Sequence, residues 1–102
     1  MSQHIGIKLI SEKNRIIRNF DLNLSMLIYK LKQKGVLDYP LLSSIDEYDN
    51  TCFNKNQCEL AVKELRKMLN DEKFTDAMED INKLISILSN VERYQYILFI
   101  GD

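Results

Sequence analysis

The sequence predicts an α+β domain in which a small antiparallel sheet packs against about three helices. Short runs rich in β-branched and aromatic residues lie near the two ends of the chain, and amphipathic helical spacing dominates between them. A length of 102 residues suits a single domain over residues 1–102. The predicted order of elements is β-β-α-loop-α-α-β, with the last strand joining an N-terminal hairpin to complete the sheet.

The N-terminal hairpin is predicted from two short runs. Apolar residues alternate with others over residues 4–10, which is typical of a half-buried strand. Residues 11–14 are polar and end in asparagine, and a β-branched run follows at 15–20. Since asparagine favours tight turns, the two runs are expected to pair as a hairpin.

The first helix is predicted to begin after Asp21. Four apolar residues there are spaced three, one and three positions apart, so they share one helix face. These residues are Leu24, Leu27, Ile28 and Leu31. Lysines fill the last turn, where the helix dipole favours cations, and Gly35 follows them directly. We therefore expect Gly35 to cap this helix in the left-handed conformation.

Residues 36–53 predict an irregular connection, because they contain the only proline, Pro40, and show no helical period. The connection is long for a compact domain, and functional loops are a common reason for such length. Its apolar residues are expected to anchor it to the core while its acids face water. They are Leu41, Leu42, Ile45, Tyr48 and Phe53.

Two further helices and a strand complete the prediction. Asn54 and Gln57 form the pattern of a capping box, in which each side chain bonds the other residue's backbone N–H. The apolar spacing that follows predicts a helix running to about residue 69, and a third helix is predicted over 74–88 with Thr75 as its N-cap. The aromatic and β-branched run at 94–100 predicts a mostly buried strand.

The charges are distributed unevenly along the chain. Fourteen Lys and Arg face fifteen Asp and Glu, for a net charge of −1, which argues against a surface built as a whole to grip nucleic acid. Residues 1–34 nevertheless carry seven basic and two acidic groups, whereas residues 35–54 carry four acids and no Lys or Arg. This layout predicts one anionic surface on a nearly neutral protein.

No standard catalytic, cofactor or metal motif is present in the sequence. The three glycines are isolated, the spacing of Cys52 and Cys58 fits neither a redox motif nor a zinc half-site, and His4 is the only histidine. Paired carboxylates could serve a hydrolase, but their loop and outward helix positions favour solvated residues. We expect no enzyme, no cofactor and no metal. The absence of a signal-peptide pattern and of a long apolar run predicts a cytoplasmic protein without membrane insertion.

A basic cluster in the N-terminal third leaves open a nucleic-acid-binding function. A small regulatory protein could bind nucleic acid through these cations, with Tyr29 and Phe20 as stacking partners. The acidic connection would repel a phosphate backbone, which argues against this interpretation. The cations concerned are Lys8, Lys13, Arg15, Arg18, Lys30, Lys32 and Lys34.

One segment and the C-terminus resemble a known family. Residues 41–57, LLSSIDEYDNTCFNKNQ, resemble the pattern L-S-x-I-D-P-Y-G-D-T-x-F-N-x-x-Q of small bacterial proteins, and Phe99-Ile100-Gly101-Asp102 is similar to their F-x-G-D ending. Glu47 replaces the proline of the pattern, and Asp49-Asn50 replaces Gly-Asp. Such proteins include immunity proteins encoded beside polymorphic toxins, among them those of contact-dependent growth inhibition.

The resemblance implies a protein that binds and neutralises a co-encoded toxin. Because the pattern recurs among proteins with different partners, most of it is expected to build the scaffold as turn, anchor and cap. The scaffold residues are Tyr48, Thr51, Phe53, Asn54 and Gln57. Partner choice is then expected to fall to neighbouring acids and aromatic residues.

A ribonuclease toxin must present cations to hold phosphates, so an acidic inhibitor surface meets it directly. We therefore expect stoichiometric neutralisation of a basic nuclease domain, without turnover and without direct nucleic-acid binding. The residues predicted to bind the toxin belong to the connection and to the third helix with the residues before it. They are Asp38, Tyr39, Asp46, Glu47, Tyr48, Asp49, Asp71, Glu72, Asp76, Glu79 and Asp80.

Overall fold

Four strands and four α-helices make up the part of the chain that the structure, a computed structural model, describes. That part is residues 5–35, 38–46 and 48–101, with the backbone alone at 34 and 35. The elements in order are β1 (Gly6–Ser11), β2 (Ile16–Phe20), α1 (Ser25–Lys30) continued by a π-helical turn (Leu31–Gly35), α2 (Pro40–Ser43), β3 (Asn50–Phe53), α3 (Lys55–Met68), a 3₁₀ turn (Glu72–Ala77), α4 (Met78–Ser89) and β4 (Gln95–Ile100).

The strands form one antiparallel sheet in the order β2-β1-β4-β3. β4 pairs with β1 along its whole length, from Gly6 opposite Ile100 to Ser11 opposite Gln95. The predicted α+β class and the pairing of the last strand with the N-terminal hairpin are therefore confirmed. The sheet has one more strand than predicted, because β3 pairs with the other edge of β4.

The connection predicted as irregular contains both α2 and β3. Each has only four residues, too few to show a period in the sequence. Three of the predicted anchors, Leu42, Ile45 and Phe53, are buried as expected. Tyr48 is not an anchor, because 70% of its surface is exposed.

One side of the sheet faces the helices. Register places Ile7 beside Phe99 and Phe53 beside Ile97 on this side, and all four are almost fully buried. The rings of Phe53 and Phe99 meet edge to face with centroids 5.2 Å apart. Such aromatic pairs stabilise a core beyond the area they bury.

The opposite side of the sheet, here called the open face, is largely accessible. Register places ten residues on it: Gly6, Lys8, Ile10, Ile16, Asn19, Asn50, Cys52, Tyr96, Leu98 and Ile100. Five of the ten are exposed, and of the others only Ile10 is buried. The helices therefore pack on one face of the sheet alone.

The predicted capping box begins α3. The Asn54 side chain accepts a hydrogen bond from the backbone N–H of Gln57 at 2.8 Å, and the Asn54 N–H donates to the Gln57 side chain at 2.9 Å. This pair satisfies backbone donors that a helix start leaves without a partner. The apolar stripe of α3 packs against that of α4 in the core.

Two predicted helix boundaries are wrong. Thr75 does not cap α4: its hydroxyl donates to the Glu72 carbonyl at 2.9 Å inside the 3₁₀ turn. The cap of that turn is Asp71, whose side chain accepts from the Lys73 N–H, and the turn is kinked at the buried Phe74. Gly35 does not follow the first helix, because the π-helical turn continues through it.

Candidate functional site

Asp46, Tyr48 and Asp49, here called the acidic turn, lie just before β3 and are held by local hydrogen bonds. The backbone N–H of Asp46 donates to Thr51 Oγ1 at 2.9 Å, and the N–H of Tyr48 donates to Asp46 Oδ1 at 2.8 Å. Asp49 Oδ1 accepts from the N–H of Asn50 at 2.7 Å. The carboxylates thus hold the backbone of their own turn, as aspartate commonly does.

Gly101, the residue that follows β4, fixes the acidic turn from the other side. Its N–H donates to the Asp49 carbonyl oxygen at 3.0 Å. A Cβ at position 101 would lie 2.4 Å from both the nitrogen and the oxygen of Asp49, a distance that real Cβ atoms do not adopt. Only glycine fits against this backbone, so the two separate parts of the sequence pattern meet at one place in the fold.

The acidic turn presents an aromatic ring between negative charges. Tyr48 is 70% exposed, and Asp46 and Asp49 are exposed on either side of it along the chain. Within the described ranges no Lys or Arg forms an ion pair with either aspartate. Glu47, also predicted to bind the partner, lies outside the described residues.

Tyr39 does not present a partner contact, contrary to the prediction, because its side chain is buried. Its ring packs edge to face on Phe74 with centroids 5.4 Å apart, and its hydroxyl donates to Asp71 Oδ2 at 2.8 Å. Burial and the neighbouring carboxylates raise the pKa of Tyr39 above its ordinary value. The hydrogen bond from Tyr39 lowers the pKa of Asp71.

Two more acids lie near the Tyr39 hydroxyl. Asp38 and Glu64 are close enough for their charges to contribute to the raised pKa of Tyr39. The Glu64 carboxylate accepts from the N–H groups of Leu41 at 3.1 Å and Leu42 at 2.9 Å, so it binds the N-terminal turn of α2. Sequence reasoning missed Glu64, because nothing in the pattern links it to residues more than twenty positions away.

The remaining predicted acids lie on the 3₁₀ turn and the first turn of α4. Asp76 forms an ion pair with Lys30, and Glu79 pairs with Lys83 at 3.1 Å one helical turn away. Glu72 is exposed and Asp80 is half-buried. The predicted acids therefore occupy three places, of which the acidic turn alone combines an exposed aromatic ring with carboxylates that have no ion-pair partner among the described cations.

Three cations of the alternative nucleic-acid interpretation form internal contacts. The Lys30 ammonium, besides its contact with Asp76, donates to the carbonyl oxygen of Lys73 at 3.2 Å. The Lys32 ammonium donates to the Ser43 carbonyl oxygen at the end of α2. Arg18 stacks on its neighbour Phe20, with its guanidinium carbon 5.0 Å from the ring centroid. The Lys34 side chain lies outside the described part of the chain.

The two cysteines differ in environment. Cys52 is exposed on the open face, whereas Cys58 is buried under β3. Burial raises the pKa of the Cys58 thiol to about 12 and raises that of Cys52 as well. Among the described residues, no group of three or more His, Cys, Asp and Glu is placed to hold a metal ion.

Comparisons with known proteins give no relative for this chain. No family model, curated protein or solved structure matches it. Within the described residues, no helix combines the length and the apolar character needed to cross a membrane.

Proposed function

We propose that this chain is an immunity protein that neutralises a co-encoded ribonuclease toxin by binding it through the acidic turn. One observation carries the proposal: Tyr48 stands exposed between two carboxylates on a backbone already fixed by Thr51 and Gly101. The resemblance of residues 41–57 and 99–102 to the sequence pattern described above favours the same function, and no family model or curated protein adds to it.

A turn of this kind suits tight protein binding. A hydrogen-bonded backbone loses little conformational entropy on association, and tyrosine offers a large contact area with few rotatable bonds. Tyrosine is also enriched among the residues that dominate binding energy. The turn therefore combines a rigid anchor with charge that attracts a basic partner.

The proposed inhibition is occupation of the toxin's phosphate-binding surface. A ribonuclease holds its substrate by cations, and the Asp46 and Asp49 carboxylates match the charge of two phosphates. Complementary charge speeds association and raises selectivity for a basic partner. The complex neutralises the toxin for as long as it persists, so inhibition follows the fraction of toxin bound.

The test uses the C-terminal domain of the protein encoded by the reading frame directly upstream, which the proposal takes to be the toxin. Cells that express this domain should survive when the wild-type chain is co-expressed, and calorimetry should give a 1:1 complex. The double variant Asp46→Asn, Asp49→Asn keeps the acceptor oxygens of the turn but removes both charges. It should weaken binding at least ~10-fold, which corresponds to about 1.4 kcal/mol.

A matched control removes two charges elsewhere. The double variant Glu72→Gln, Glu79→Gln has the same net charge as the first but leaves the acidic turn intact, and it should bind like the wild type. Equal loss in both variants would indicate a general charge effect and contradict a site at the turn. Failure of the wild-type chain to protect cells from this neighbour would contradict the proposed function itself.

The same protein can be tested for the nucleic-acid alternative. A salt-dependent complex with RNA or DNA that Lys30→Glu and Lys32→Glu abolish would favour a nucleic-acid-binding protein. The internal contacts of these two lysines favour the opposite outcome, in which the substitutions lower stability without revealing such a complex.

A further inference from the structure

We propose that the toxin interface continues from the acidic turn onto the open face of the sheet. This inference rests on the proposed function and adds a second, apolar part to its site. The open face would take a protein surface with an apolar centre, while the acidic turn takes the cations at the border of that surface.

The apolar character of the open face is the first argument. Antiparallel sheets that are covered on one side usually carry polar residues on the other. Here the central strand β4 places Tyr96, Leu98 and Ile100 on the open face, and β1 and β2 add Ile10 and Ile16. Ile16 is 54% exposed. Tyr96, Leu98 and Ile100 are half-buried and Ile10 is buried, so the three residues of β4 each leave part of an apolar side chain accessible beside Ile16. Partly exposed apolar side chains grouped on one face are typical of interaction sites.

Continuity with the acidic turn is the second argument. Asn50, which follows the turn, pairs with Ile100 in the register of β3 and β4. Gly101, which follows Ile100, donates its N–H to Asp49. The turn therefore borders the row of the sheet that Asn50 and Ile100 form, and one partner surface can cover both.

The size of the face supports a combined interface. The four strands lie ~4.8 Å apart, the longest have six residues at ~3.4 Å per residue, and together they outline a face of at most about 400 Å². A stable protein interface buries about 800 Å² on each partner. The open face alone is too small for a stable interface, so a partner that covers it must also contact neighbouring surface, and the acidic turn directly borders the face.

Charge identifies the kind of partner. Lys8 is the one charged residue among the ten on the open face, and it lies in the middle row between Asn19 and Leu98. A second copy packed face to face, with the two-fold axis running along this row, would place the Lys8 side chains of the two copies opposite each other. Repulsion between the two positive charges disfavours such a dimer. A nucleic acid would find one ring, Tyr96, and an acidic border. A basic protein with an oxygen acceptor opposite Lys8 fits both parts.

Cys52 provides a reporter that needs no substitution. It is exposed in the middle row beside Leu98, whereas Cys58 is buried. In the free chain N-ethylmaleimide should modify the exposed Cys52 faster than the buried Cys58, and the rate at Cys52 in the free chain is the reference for the complex. In the complex with a catalytically inactive form of the upstream-encoded toxin domain, modification of the Cys52 peptide, followed by mass spectrometry, should slow at least ~10-fold because the partner covers the face.

A pair of substitutions gives the second measurement. Leu98→Arg places a charge in the middle of the open face, and Leu60→Arg places the same charge at an exposed position of α3. Both should fold, as judged by circular dichroism and thermal melting. Leu98→Arg should weaken toxin binding at least ~10-fold, and Leu60→Arg should change it less than twofold.

The outcomes separate this inference from the proposed function. If the toxin domain binds and depends on Asp46 and Asp49, while Cys52 reacts equally fast in the free and bound chain, the open face is not part of the interface and the proposed function stands. If the domain does not bind, both proposals fall. Protection of Cys52 by raising the concentration of the chain alone, or by single-stranded RNA, would assign the face to a second copy or to nucleic acid and overturn the inference.

Discussion

The backbone N–H of Gly101 donates to the carbonyl oxygen of Asp49 over 3.0 Å, which ties the end of β4 to the turn before β3. A side chain at 101 would overlap the Asp49 backbone at 2.4 Å. This contact explains in steric terms why position 101 of this chain is glycine. It also makes the position of the acidic turn depend on the last strand of the fold.

Gly101→Ala should destabilise the protein, because the methyl group cannot be accommodated without moving the Asp49 backbone. Overpacking of this kind typically costs about 1–3 kcal/mol. Gly6→Ala is the matched control, since a Cβ there meets the Ile100 Cβ at an ordinary 3.7 Å. Denaturant unfolding should show a loss for Gly101→Ala alone. Equal stabilities of the two variants would contradict the close contact.

Tyr39→Phe should flatten the pH dependence of stability at both ends. The raised pKa of Tyr39 means that its contribution is present below its ordinary value of 10.0 and is lost as the pH rises toward the higher folded value. The lowered pKa of Asp71 means that its contribution is present above 3.8 and is lost as the pH falls through the lower folded value.

The measurement is the free energy of unfolding of the wild type and of Tyr39→Phe from acid to alkaline pH. The difference between the two proteins should be largest between about pH 4 and pH 10 and shrink on either side. A difference that stays the same below about pH 4 and above about pH 10 would mean that the Tyr39–Asp71 hydrogen bond does not couple folding to pH.

Asn54→Ala should destabilise α3 by removing one half of the capping box. Loss of an asparagine cap costs about 1 kcal/mol in typical proteins. Asn56→Ala, two residues into the same helix at an exposed position, is the control and should be neutral or slightly stabilising, since alanine has the higher helix propensity. Urea unfolding of both variants distinguishes a capping effect from a general effect of losing asparagine.

The association rate of the toxin domain should fall as salt is raised. The acidic turn and a basic partner attract each other over a distance that salt screens, about 8 Å at physiological ionic strength. Stopped-flow mixing at increasing salt should show a steep decrease for the wild type and a shallow one for Asp46→Asn, Asp49→Asn. An association rate independent of salt would contradict electrostatic steering by the turn.

The sequence predicted those parts of the fold that are indicated by patterns among residues close together in the chain. The alternation over 4–10, the apolar stripe of α3 and the pair Asn54 and Gln57 each depend on residues a few positions apart, and each is confirmed. The strand β3 was missed because four residues that include Asn50 and Thr51 resemble a loop. They form a strand because they pair with the free edge of β4, and the residues around β3 in the sequence give no indication of that pairing.

The sequence did not distinguish the exposed from the buried residues of the candidate site, again because distant contacts decide the difference. Exposure of Tyr48 and burial of Tyr39 cannot be distinguished by composition, because both tyrosines lie among acids in one connection. Their difference comes from distant partners: Tyr39 packs on Phe74 and bonds Asp71, whereas Tyr48 sits in a turn fixed by Gly101. Such contacts depend on how separate elements meet in space.

The most direct measurement follows RNA cleavage while the domain encoded upstream, which the proposed function takes to be a ribonuclease, is titrated with this chain. The proposed function predicts that activity falls linearly to zero at one equivalent of the wild-type chain, and that Asp46→Asn, Asp49→Asn leaves activity at that same ratio. Full cleavage in the presence of excess wild-type chain, or inhibition unchanged by the double substitution, would contradict neutralisation through the acidic turn.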